Sequence, residues 1–134
     1  MTLRSVPAAL AAVVGLLGCA PSSIPQAEFQ RRGNAVCAAS AGRVARLAAP
    51  HVVPARAPER MAGYVDAYVA EMRQELSDLR LIGSPAGQRH RLDRVYAALD
   101  AALTAVERDP LSFRPSAFAP ATAALRAAGL TACR

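Results

Sequence analysis

Apolar and small residues recur along the chain in steps of three and four, the spacing of one face of an α-helix. Phe29, Gly33, Val36, Ser40, Val44 and Leu47, with Cys37 beside them, trace a first stripe from Glu28 onward. It stops at "APHVVPARAP", whose prolines forbid a continuous helix and imply an extended connection. Pro58 then suits the first position of a second helix. Met61, Val65, Tyr68, Met72, Leu76 and Leu79 form its stripe, widened by Tyr64, and Arg60, Glu71, Arg73, Glu75 and Asp78 are expected on the solvated face. The turn "GSPAG" ends it, with Ser84 and Pro85 placed to start the next helix.

A third stripe runs through Leu92, Val95, Tyr96, Leu99, Leu103 and Val106 before "RDPLSFRPS" interrupts it. Phe118, Thr122 and Leu125 mark a shorter fourth helix, for whose first turn Pro115 and Pro120 compete. Gly129 is placed to cap it in the left-handed conformation, with Leu130 as the accompanying apolar contact. No segment alternates with the period of a strand. The expected fold is all-α: a small up-down bundle of three long helices and a short fourth.

Ahead of the bundle lies a different pattern. Arg4 precedes an apolar run from Val6 to Leu17, and Gly18 stands before Cys19, the anatomy of a secretory signal. A membrane span needs roughly 20 apolar residues, and this run is shorter and holds Pro7. Leu16, Leu17, Gly18 and Cys19 also resemble the lipobox of bacterial lipoproteins. That resemblance implies cleavage before Cys19 and acylation of its sulfur. Two or three acyl chains, at about 0.8 kcal/mol per buried CH₂, hold a protein firmly on its membrane. Ala20 stands where an inner-membrane retention signal places aspartate, which favours the outer membrane where a cell has one, and otherwise the outer face of the cell membrane. The expected division is a signal peptide over 1–18, a lipidated tether over 19–27 and the helical domain over 28–134.

All 16 basic residues are arginine, which with the abundant alanine reads as a high-GC genome. Without Arg4 the mature chain holds 15 arginines and 10 acids, a formal charge of +5. The arginines are scattered and no aromatics interleave with them, so nucleic acid is not an expected partner. The membrane is the expected partner through the anchor, with an envelope protein as a further one.

Once Cys19 is assigned to lipid, Cys37 and Cys133 remain as an even pair that an oxidising compartment would join. Two separate thiols, with Cys37 filling a small space, is the competing reading. Phe29, Cys37, the long helix ending "LSDLRLIGSPAG" and the closing "AAGLTAC" together are similar to small exported or lipid-anchored proteins of high-GC bacteria, uncharacterised as a group. Those share an early cysteine and a terminal Gly-Leu-x-x-Cys, and bring no activity with them. Gly83-Ser84-Pro85 departs from their adjacent prolines.

Candidate chemistry is sparse. Neither His51 nor His90 has the spacing of a metal site, and no cofactor, metal or catalytic group is expected. "GSPAGQRHRLDR" is the sharper stretch: Arg89, His90, Arg91 and Arg94 crowd a helix start, where an anion would relieve their opposition to the helix dipole. The functional expectation is a non-catalytic envelope interaction or structural module; the alternative is a binding module for a small anionic or aromatic ligand, using these arginines or Tyr64, Tyr68 and Tyr96.

Overall fold

The computed structural model describes residues 23–49 and 56–134. The expected signal peptide, Cys19, His51 and most of the proline-rich connection lie outside them. Four α-helices follow in order: α1 Gln26–Val44, α2 Pro58–Ile82, α3 Arg89–Arg108 and α4 Ala119–Ala127. Among the described residues there is no strand, only an isolated bridge between Ile24 and Pro85.

Antiparallel packing follows from which residues meet. Arg43, near the end of α1, pairs with Glu71 inside α2, while Ile24, just before α1, donates its N–H to the Ser84 carbonyl beyond α2 at 3.2 Å. On the other side of α2, Arg73 reaches α3: Nη1 lies 2.7 Å from Asp100 Oδ1 and Nη2 2.6 Å from Glu107 Oε2. α2 is therefore the central helix, covered by α1 and by α3. That explains two departures from its single predicted stripe. Val69 is buried, and Glu75, expected on the solvated face, is only 8% exposed.

Both competing prolines are used around the start of α4. Pro115 opens a 3₁₀ turn, Pro115–Phe118, and Pro120 sits in the first turn of α4, where its missing N–H costs nothing. The end of α4 is a Schellman motif: Leu130 N–H bonds to the Leu125 carbonyl at 3.0 Å and Gly129 N–H to the Arg126 carbonyl at 2.9 Å. Gly129 takes φ +95°, which a side chain would strain.

From that cap the C-terminal segment runs along α1. Asn34 grips it twice, its Nδ2 donating to the Gly129 carbonyl at 3.1 Å and its Oδ1 accepting from Ala132 N–H at 2.8 Å. Gln26 Nε2 donates to the Ala128 carbonyl at 3.1 Å. Cys133 then meets Cys37 at disulfide distance, with sulfurs 2.02 Å and Cα atoms 4.8 Å apart. Leu130 is fully buried against Gly33, so close that a Cβ at position 33 would lie 2.5 Å from Leu130 Cδ2.

Ser84 does not cap α3. Gly83 leaves α2 at φ +90°, and Gly87, at φ +76°, holds a turn closed by Gln88 N–H on the Pro85 carbonyl at 3.1 Å. A right-handed helix cannot pass through that glycine conformation, so α3 waits until Arg89.

Candidate functional site

The turn between α2 and α3 walls a pocket of about 340 Å³, lined by Ser23, Arg80, residues 83–87, Arg89, Asp93 and Tyr96. Its floor is built by helical spacing. Arg89, Asp93 and Tyr96 stand at i, i+4 and i+7 of α3 and so share one face. Arg80 arrives from the last turn of α2, because the short glycine-containing turn folds the two helix ends together. Of the four residues predicted to hold an anion, only Arg89 lines this pocket. The side chains of His90, Arg91 and Arg94 are exposed and turn away, since each step along a helix rotates by about 100°.

The start of α3 leaves donors open. Its first helical bond runs from Leu92 N–H to the Gln88 carbonyl at 3.0 Å, so the amides of Arg89, His90 and Arg91 precede it. Gln88, the N-cap, makes no side-chain cap, and no acid occupies the first turn. Among the described residues neither Arg80 nor Arg89 enters an ion pair.

Tyr96 is 3% exposed, and its hydroxyl has no hydrogen-bond partner among the described residues. Burial, and then the Asp93 carboxylate, push that hydroxyl up to about 12 against the pull of Arg80. Tyr96, Asp93 and Arg80 all line the pocket, and the hydroxyl remains a protonated donor at neutral pH. A buried hydroxyl without a partner costs about 1–3 kcal/mol, a loss that an acceptor entering the pocket would recover. Tyr96 was legible as a core position; its orphaned hydroxyl was not.

The second polar centre lies between α1 and α2. Glu75 Oε1 is 3.4 Å from Cys37 Sγ, and Cys37, Glu75 and Cys133 offer donor atoms all within 4.8 Å of one another. With the sulfurs joined to each other, the cluster presents one carboxylate and no thiolate. Ser40 is fully buried beside this carboxylate, and Arg43 Nη2 is likewise buried. Burial pushes the Glu75 carboxyl above its ordinary value of 4.5, while the Ser40 hydroxyl and Arg43 pull it down.

A carboxyl whose pKa is higher in the folded chain binds more protons there. Stability then falls as pH rises from 4.5 through the raised folded value, and is level above it. Glu75→Gln lacks that slope, so its stability relative to the native protein is expected to rise between about pH 4 and pH 7. Urea unfolding at both pH values checks this; parallel pH dependence in the two proteins would count against it.

Tyr64 and Tyr68 join Phe113 and Phe118 in an aromatic cluster with ring centroids 5.0 to 6.3 Å apart. Their rings pack on one another and stand apart from Tyr96.

No protein-family model, curated protein or solved structure matches this chain. No helix among the described residues is long and apolar enough to cross a membrane.

Proposed function

We propose that this protein is a lipid-anchored, non-catalytic module of the bacterial envelope that binds an anionic ligand in the pocket at the α2–α3 turn. The observation that carries the binding half is the Tyr96 hydroxyl, without a partner among the described residues and buried to 3% exposure on a wall it shares with two arginines that enter no ion pair among them. Open amides at the start of a 20-residue helix add a dipole of matching sign. The anchor half is supported by the signal-like run and by the likeness of residues 16–19 to a lipobox.

Isothermal titration of the purified protein with inorganic phosphate and with short phosphate esters tests the binding. Saturable binding that weakens by about tenfold or more in Arg80→Gln and in Arg89→Gln is expected, the scale of losing one hydrogen bond to a charged group. Affinity unchanged in both variants would refute this site. The mass of the Cys19 peptide tests the anchor separately: acyl mass is expected, and an unmodified thiol would refute it.

A further inference from the structure

We propose that the pocket takes the phosphodiester headgroup of a phospholipid from the membrane on which the protein is anchored; this rests on the anchored, anion-binding reading above. Three features select a lipid headgroup over a free anion.

The first is reach. Ser23 lines the pocket and is four residues from Cys19, a span of about 14 Å at most for an extended chain. The chain is also pinned at the pocket edge, by Ile24 on Ser84 and by Gln88 Nε2 donating to Gln26 Oε1 at 2.8 Å. An acylated Cys19 thus holds the pocket within a headgroup layer's distance of the lipid. Tethering replaces a search through solution by a high local concentration of headgroups.

The second is charge. Arg80 and Arg89 oppose one carboxylate, Asp93, which leaves one net positive charge on the wall. A phosphodiester carries a single negative charge and matches it; a phosphate monoester, at about −1.5 to −2 near pH 7, brings excess charge toward Asp93. Asp93 has its own use in this pose, accepting a hydrogen bond from a headgroup hydroxyl or ammonium, while the Tyr96 hydroxyl and the open amides donate to phosphate oxygens.

The third is Leu81. It follows Arg80 directly, and at 81% exposure it is the most exposed large apolar side chain among the described residues. Leu81 stands outside the pocket lining, one helical step round from Arg80, and an exposed apolar side chain at that end of α2 suits a surface that meets acyl chain.

The test uses the full chain expressed with its own leader, purified in a non-ionic detergent and kept unreduced. The probes are dihexanoyl-phosphatidylglycerol, dihexanoylglycerol and inorganic phosphate, read by isothermal titration and by the amide resonances of Arg89, His90 and Arg91. The phospholipid is expected to bind saturably, at least about tenfold tighter than inorganic phosphate, and to lose about tenfold or more in Arg80→Gln and Arg89→Gln. Tyr96→Phe is expected to weaken it with helicity unchanged, and Asp93→Asn to narrow the preference for diester over inorganic phosphate. Inorganic phosphate binding as tightly as the phospholipid would make this a free-anion site and overturn the proposal. Equal binding of dihexanoylglycerol would overturn it too, by showing that acyl chains alone are recognised. An acylated Cys19 with no headgroup binding sinks the proposal and leaves the anchor; an unmodified Cys19 with binding intact sinks the anchor and supports the headgroup site.

Discussion

Replacing Cys37 and Cys133 together by alanine is expected to lower the unfolding free energy by about 4 kcal/mol, the scale for a link closing a loop of about 100 residues. The two cysteines are 96 positions apart, so the link encloses nearly all of the described helical domain and restricts almost its whole unfolded ensemble. That is a large share of the total, since the stability of a domain is only about 5–15 kcal/mol. Urea unfolding of the native and double-alanine proteins measures the difference. The slope with urea should also rise, because an uncrosslinked chain exposes more surface when it unfolds. A loss under about 1 kcal/mol would mean that Asn34, Gln26 and Leu130 hold the C-terminal segment without help from the sulfurs, against the chain-entropy account.

The second large effect lies one turn away. Leu130→Ala removes a fully buried side chain and is expected to cost about 3 kcal/mol, the lost transfer energy together with the cavity left behind. Gly33→Ala in the native background places a methyl 2.5 Å from Leu130 Cδ2 and is expected to destabilise by about 1–2 kcal/mol, overpacking outweighing the gain in helix propensity. Combined with Leu130→Ala, the same Gly33→Ala change should turn neutral or stabilising by up to about 1 kcal/mol, because the clash is gone and the propensity gain remains. Thermal or urea unfolding of the four proteins forms the cycle. Additive effects would show that Gly33 and Leu130 do not oppose each other as the structure places them.

These two contacts show how unevenly the fold could be read in advance. The parity of Cys37 and Cys133 suggested their pairing, and Gly129 with Leu130 announced the helix cap from a local motif. Nothing local announced that Leu130 would press into Gly33, 97 positions earlier, or that Asn34 would bind the same segment. Gly33 was legible as a small residue on the buried stripe, but its partner was not. The candidate site divides in the same way. Arg89 was foreseen as a cation at a helix start, whereas Arg80 joins it only because the turn at residues 83–87 returns the chain, and His90, Arg91 and Arg94 were expected beside it but face outward.

The sequence by itself determined the helices. Their stripes, the prolines at their starts and the glycine after α4 act through neighbours three or four residues apart, and local sterics need no distant partner to take effect. Tertiary structure decided which polar groups were buried and what stood opposite them. Glu75 reads as one more charge on a solvated face, and it is buried because α2 is covered from two sides. Tyr96 reads as a core tyrosine; only the packing of α2 against the start of α3 leaves its hydroxyl without a partner beside Arg80 and Arg89. Burial and unpaired hydrogen bonds depend on the sum of contacts from separate segments, and a repeat of three and four along one segment carries no record of them.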